Sequence, residues 1–357
     1  MSRIALALSL FASICASGWA QRWRPATARD WYSEEKWMVG ANYVPSTAVN
    51  QIEMWQAATF DPQRIDVELG WAENIGMNAL RVPLHDLVWQ QDAEGFRKRI
   101  DEFLRIANKH KLRVMFVLFD SNGDPAPQAG PQPPPAPGVR NSRWAQSPGV
   151  KALADPASAQ RLEAYVQDLI GAFANDKRVI AWDLWNEPDD SAAVAALLPK
   201  VFEWARSAHP KQPLTSAVWQ GDWSAPEKLR PVEKLQLDSS DIISFHNFSS
   251  PEDFAQRAQW LEQYNRPVLC TAFLARPVKS TIEGILPAAK DQRVAAYAAS
   301  LVQGKTQTYL PPDSREHPHT DHEPATWWQD LFRTDGKTYR PEETGLIRTI
   351  VRQKDKK

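Results

Sequence analysis

The sequence predicts an α/β chain folded as a single (β/α)8 TIM barrel, and three observations predict it. Segments of strand character alternate with segments of helical periodicity along the chain. The strand candidates number eight. The length also fits: 357 residues less a leader of 20 leaves about 337, inside the roughly 200 to 400 typical of such barrels. Two domains would fit the same length but would not require so regular an alternation.

The strand candidates are residues 37–43, 78–82, 112–119, 179–185, 214–219, 242–245, 267–270 and 294–297, short apolar runs of the kind buried in a parallel sheet. Between them the helices have ordinary start signals. Asp61-Pro62 opens one that puts Ile65, Leu69 and Ala72 on one face and stops at Gly76. Phe96, Ile100, Phe103, Leu104 and Ala107 repeat at helical spacing, as do Leu162, Tyr165, Val166, Leu169 and Phe173. Ser250-Pro251-Glu252-Asp253 is an N-cap with an acid three residues on, leading into Phe254, Ala258 and Leu261. One segment breaks the pattern: residues 124–138 read DPAPQAGPQPPPAPG, and proline's missing amide excludes both helix and sheet interior. It follows the third strand, on the face where barrel strands end, so it is either a stiff wall over a cleft or a surface insertion.

Composition narrows the function. With 42 Lys+Arg against 43 Asp+Glu the formal net charge is −1, which gives no basis for nucleic-acid binding. The 16 tryptophans suit both a packed core and the flat apolar faces of sugars. Residues 1–20 place Arg3 before the apolar run from Ile4 to Cys15 and then Ala16-Ser17-Gly18-Trp19-Ala20, the layout of a cleavable secretory signal. That run is shorter than the roughly 20 residues needed to cross a bilayer, and no later segment is longer. The expectation is a secreted or periplasmic protein of one domain, residues 21–357, with no membrane span. Its remaining cysteine, Cys270 in an apolar strand, reads as a buried thiol.

The fourth strand candidate ends in Trp182-Asp183-Leu184-Trp185-Asn186-Glu187-Pro188. A strand ending in Asn-Glu-Pro resembles the acid/base motif of the clan of (β/α)8 glycoside hydrolases that includes the family 5 cellulases and mannanases. Asn42-Tyr43 ending the first strand, Arg81 ending the second, His246-Asn247 ending the sixth and residues 304–308 after the eighth are similar to the same clan, so the resemblance spans nearly the whole chain after the leader. It implies a carbohydrate partner and no cofactor, with Glu187 as general acid and Asn186 on the sugar hydroxyl beside the scissile bond. Burial beside Trp185 is expected to raise the Glu187 pKa.

The sequence departs from the clan on the other side of the expected cleft. Where the clan has its nucleophilic glutamate, after the seventh strand, the matching residue is Ala272. Its tyrosine after the sixth strand is matched by Phe248, and its tryptophan after the eighth by Ala299. Without a nucleophile, hydrolysis would have to invert, with a more distant carboxylate activating water. Asp120 and Asp222 are the candidates, with Asp86 behind them. The alternative is a catalytically silent carbohydrate-binding protein.

Arg81, His246, Asn247, Trp185, Trp219, Tyr297 and Trp328 are the remaining candidates for substrate contact, and Arg81, short of its usual carboxylate, is expected to meet an anionic sugar or Asp120. Trp327-Trp328 is either a stacking platform or a lid anchor. The loop with His317, His319 and His322 is expected to be polar and solvated rather than a metal site. No phosphate loop, dinucleotide fingerprint or serine elbow is present.

Overall fold

The computed structural model describes residues 21–353. The predicted leader, with Cys15, lies outside the described residues. Eight parallel strands form one sheet: β1 (Val39–Asn42), β2 (Ala79–Pro83), β3 (Arg113–Asp120), β4 (Val179–Asn186), β5 (Leu214–Thr215), β6 (Ile243–His246), β7 (Val268–Phe273) and β8 (Ala295–Ala298). Each of the eight expected strands is found, with ends moved by a few residues. Neighbours in sequence are neighbours in the sheet, and β1 pairs with both β2 and β8. The ring is nearly closed: three residues beyond the short β5, Val218 forms an isolated parallel bridge with Phe245 of β6. Little sheet edge is left between the two.

The connections carry helices α1 (Pro25–Glu34), α2 (Gln51–Trp55), α3 (Pro62–Asn74), α4 (Asp86–Gln91), α5 (Ala93–Lys109), α6 (Val150–Ala154), α7 (Ser158–Phe173), α8 (Ala192–Ser207), α9 (Pro231–Ser239), α10 (Pro251–Leu261), α11 (Ile282–Asp291) and α12 (Pro341–Arg352). Helix α3 starts as predicted: the Asp61 side chain accepts from the Arg64 amide at 2.9 Å, a cap worth ~1 kcal/mol. Helix α5 buries Phe96, Ile100, Phe103 and Leu104 against the sheet, each contributing roughly 1.5–3 kcal/mol of apolar burial.

Inside the barrel a second apolar layer, with Met38, Ala79, Met115, Leu269 and Tyr297, is stoppered at the end where the strands begin by Ala28 and Tyr32 of α1. Gly40 of β1 is required there, because a Cβ would stand 2.0 Å from the Ala79 carbonyl oxygen. With that end filled, the open face is where the strands end, and the loops of that face make the cleft.

The proline-rich segment is pinned by side-chain amides standing in for its missing backbone donors. Gln56 donates to the Gly130 carbonyl at 2.9 Å and accepts from its amide at 2.7 Å. Gln307 accepts from the Gly138 amide at 2.9 Å, and His319 donates to the Gly138 carbonyl at 3.0 Å. Gly138, at φ +72°, touches the His319 backbone so closely that a Cβ would lie 2.5 Å away. The segment runs between these anchors outside the cleft wall, and its effect is to deliver Arg140, Asn141 and Trp144 to that wall.

Candidate active site

A cavity of about 620 Å³ opens where the strands end. Its floor is a hydrogen-bonded frame centred on Arg81. The guanidinium donates to Asp183 from Nε at 3.0 Å and Nη2 at 2.8 Å, to Asn42 Oδ1 at 2.7 Å and to Asn186 Oδ1 at 2.8 Å. Both members of the Arg81–Asp183 pair are buried, so each charge depends on the other. Of the two partners expected for Arg81, an anionic sugar or Asp120, the second is not found: the guanidinium meets Asp183 and is largely committed to the protein.

Asn186 passes the frame on, donating from Nδ2 to Asp120 Oδ1 at 3.0 Å. Asp120 also accepts from the Asn122 amide at 2.9 Å, the Asn122 side chain at 3.2 Å and Trp144 Nε1 at 2.9 Å. Burial pushes its carboxyl up to about 6; these N–H donors offset only part of the penalty, and the Glu187 charge adds to it.

Glu187 stands one residue beyond β4 with φ +46°, the left-handed region, a conformation that costs a non-glycine residue of order 1 kcal/mol and is common at functional sites. Its carboxylate lines the cavity with 17% of the side chain exposed. Oε1 lies 2.7 Å from His246 Nδ1, and Oε2 accepts from Asn122 Nδ2 at 2.9 Å. Burial alone would raise its pKa. The hydrogen bond and charge of His246, then Asn122 and the charge of Arg81, outweigh burial and hold Glu187 below its ordinary value. The expected upward shift is thus reversed. Nor does Trp185 bury it: that indole is fully buried, packs on Phe119 and donates to Ser121 Oγ at 2.9 Å, and it is not part of the cavity wall.

Ala272, Phe248 and Ala299 line this same cavity with Glu187. The carboxylates in its wall are Asp120 and Glu187, both at the β3–β4 side and bridged by Asn122. Asp120 therefore does not stand across the cleft from Glu187 as a water-activating base would. Asp222 is elsewhere: its side chain is half exposed on the loop after β5, where it accepts from the Ser224 amide and pairs with Lys228 at 2.9 Å, contacts that hold it low. Asp86, in α4, is buried and accepts from Ser147 and Arg161.

Of the other candidates, Arg81, Asn186, His246 and Trp328 line the cavity. Three do not. Asn247 turns away to donate to Asp253 Oδ2 at 2.6 Å. Trp219 donates to the Pro188 carbonyl at 3.4 Å outside the wall, and Tyr297 is buried in the barrel interior with its hydroxyl 3.6 Å from Met38 Sδ. The tryptophan pair divides its roles: Trp328 faces the cavity, while Trp327 is buried and stacked on Tyr339 at 4.4 Å. Among the described residues no group of three or more His, Cys, Asp or Glu is arranged to hold a metal ion, and no helix is long and apolar enough to cross a membrane. Cys270 is buried, and burial pushes its thiol up.

Sequence reasoning missed Asn122, Arg140, Trp144 and Arg315, which line the cavity from loops without periodicity. It also missed Asp183, although a charge in the middle of an apolar strand needs a buried partner and Arg81 was available.

No curated protein sequence matches the chain significantly. Solved structures share the fold at low identity. An exo-β-1,4-mannosidase from Opitutaceae bacterium strain TAV5 has a TM-score of 0.61 at 17% identity, over 88% of this chain and 59% of that one. A Streptomyces cattleya protein of glycoside hydrolase family 5 subfamily 18, solved with GlcNAc, gives 0.59 at 13% identity, over 88% and 79%. The Thermotoga petrophila RKU-1 endo-1,4-β-D-mannanase gives 0.55 at 14%, over 88% and 99%. The model of the cellulase family, glycosyl hydrolase family 5, matches residues 51–307, a span that holds Arg81, Glu187, His246 and Ala272. The chain belongs to the cellulase family, glycosyl hydrolase family 5.

Proposed function

We propose that this chain is an exported glycoside hydrolase that cleaves a β-linked oligo- or polysaccharide, with Glu187 as the proton-transferring carboxylate. The single observation that carries the reading is the position of Glu187: a carboxylate aimed into a 620 Å³ cleft, hydrogen-bonded to His246 and Asn122 and set beside Asn186. The similar folds of β-1,4-mannosidases and mannanases favour a β-1,4-linked hexose chain. With alanine at position 272, no carboxylate is available there to form a glycosyl-enzyme. Water would attack the anomeric carbon directly while Glu187, protonated at acid pH, gives its proton to the leaving oxygen; the attacking water sheds its proton to solvent, solvent reprotonates Glu187, and the product is inverted. Export rests on the leader read in residues 1–20.

One observation favours a second reading, a carbohydrate-binding protein without turnover. The two carboxylates of the cavity wall lie side by side instead of facing each other, so no group there is placed to activate water from the opposite face. A glycan panel read for both binding and product release separates the two. Release that disappears in Glu187→Gln supports hydrolysis; binding with no release from any glycan supports the second reading.

A further inference from the structure

The loop side of the cleft carries positive charge that the protein leaves without a carboxylate partner. Arg140 and Arg315 both line the cavity. The Arg140 guanidinium donates from Nη1 to the carbonyls of Thr308 at 2.6 Å and Leu310 at 3.1 Å, and from Nη2 to Gln329 Oε1 at 2.6 Å. All three acceptors are neutral, and its Nε–H has no partner among the described residues. Arg315, on the facing loop, donates to the Asn141 carbonyl at 3.2 Å and is otherwise exposed. Neither arginine has a carboxylate within ion-pair distance among the described residues.

Structural arginines elsewhere in the fold are held in two ways: Arg81 is neutralised in contact by Asp183 and Arg276 by Glu343 with two bonds of 2.6 Å, whereas Arg266 rests on the carbonyls of Asp241 and Trp23. Arg140 is of the second kind, but unlike Arg266 it lines the cleft. Burial pushes its pKa down to about 10, against the partial support of Asp330 and then Glu187, whose charges reach it without touching it. Holding a guanidinium in a cleft wall on neutral acceptors costs desolvation that a carboxylate from outside would offset, and the planar fork is shaped to take one.

The two loops hold each other in this arrangement. The Arg140 amide donates to Ser314 Oγ at 3.0 Å, next to Arg315, while Arg315 returns a bond to Asn141, next to Arg140. Trp328 and Gln329 complete the same wall, so an aromatic face and a side-chain amide stand beside the charges. An apolar platform beside unpaired guanidinium groups fits a sugar ring that carries a carboxylate.

We infer that this wall is a subsite for a hexuronate residue, and that the glycan taken by the cleft is anionic. The inference rests on the reading of the cleft as a glycan site and adds its substrate class. The protein should therefore prefer β-1,4-linked mannuronate oligosaccharides to β-1,4-linked mannose oligosaccharides of equal length, two probes that differ only at C6.

The test is binding of both probes to the purified full chain by calorimetry, compared with Arg140→Gln and Arg315→Gln. The expected result is at least ~10-fold tighter binding of the uronate at low salt, shrinking toward parity as ionic strength rises. Each variant should lose most of that preference, read as the ratio of the two affinities measured on the same variant. Arg140 also ties two loops together, so its variant is checked by thermal melting; if it fails to fold, the exposed Arg315 and the salt series carry the test. Equal or tighter binding of the neutral probe, or a preference that survives in Arg315→Gln and in high salt, overturns the inference. Neutral-glycan binding or hydrolysis without a uronate preference would leave the hydrolase reading standing and remove only this one. Binding of neither probe would remove the glycan reading and this inference with it.

Discussion

On the β3–β4 side of the cleft, Asp120, Asn122, Asn186 and Glu187, with His246 from β6, are joined by side-chain hydrogen bonds of 2.7 to 3.2 Å. On the opposite side Ala272, Phe248 and Ala299 have no polar side-chain atom between them, and all three line the cavity. Both sides end strands of the same barrel, so the fold does not require polar strand ends. The polar side also has a cost, since Asp120 is buried with its carboxyl pushed up and Glu187 sits at a positive φ. The difference teaches that one barrel can end its strands in a hydrogen-bonded carboxylate network on one side and in apolar side chains on the other, and it supports the proposal of proton transfer without a covalent sugar intermediate.

The largest expected effect comes from the polar side. Glu187→Gln deletes the proton donor and keeps the shape, so hydrolysis of a glycan with a poor leaving group should fall by about 10²–10⁴-fold. The melting temperature should stay close to that of the native chain, and near-native turnover in a folded variant would end the assignment of Glu187.

Next is the frame beneath that group. Arg81→Met leaves Asp183 buried without its partner and should cost about 3–5 kcal/mol in denaturant unfolding. Ala272→Ser on the other side, where no network exists to break, should cost far less. Similar losses from the two would show that the sides are not organised as described.

Rebuilding the poor side sharpens the comparison further. Ala272→Glu alone should give a weak enzyme, because a misplaced carboxylate loses on the order of 10²-fold. Arg81 already donates to Asp183, Asn42 and Asn186, and Phe248 offers no hydroxyl to hold the new group. The triple variant Ala272→Glu, Phe248→Tyr, Ala299→Trp should exceed the single one in initial-rate assays. Equal rates from two folded proteins would mean that positions 248 and 299 do not serve the reacting sugar.

The smallest effect is in pH. His246, Asn122 and Arg81 hold Glu187 below its ordinary value, and a general acid works only in its protonated form. Activity should therefore lie on the acid side and fall about tenfold per unit as pH rises past the lowered pKa. Stability from Glu187 runs the other way: a depressed carboxyl stabilises above its unfolded pKa, and that contribution is lost as pH falls through the folded value. Asp120 has the opposite sign. Raised to about 6, it makes the fold less stable as pH climbs from its unfolded value to about 6. Carboxyl-carbon NMR titration should find the two on opposite sides of the ordinary carboxylate range, and coincident titrations would contradict the split.

The barrel was legible because its signals are local. Apolar runs at 113–120 and 179–186, and helical repeats such as Phe96, Ile100 and Phe103, set strand and helix without reference to anything distant. Arg81 was legible because a charge ending a parallel strand falls on the open face, and Glu187, Asn186 and His246 through the resemblance of their strand ends to the glycoside hydrolase clan. What failed was the direction of a side chain and the sign of a balance. Trp185, Trp219 and Tyr297 lie at or near strand ends, yet their indole and phenol groups turn into packing, which sequence position alone does not determine. The Glu187 shift was misjudged because burial is visible in an apolar motif, while His246 and Asn122 reach it from 59 and 65 residues away. Asn122, Trp144 and Arg140 sit around a proline-rich run whose path depends on contacts with Gln56 and Gln307.

The central claim is that the cleft has no nucleophile in place of the carboxylate missing at position 272, and the anomeric configuration of the first-formed product tests it most directly. Proton NMR of a β-linked substrate during the first minutes of hydrolysis, before mutarotation, should show the α-anomer appearing first. First appearance of the β-anomer would mean a double displacement through another nucleophile of the protein or a substrate-assisted route, and would contradict the account.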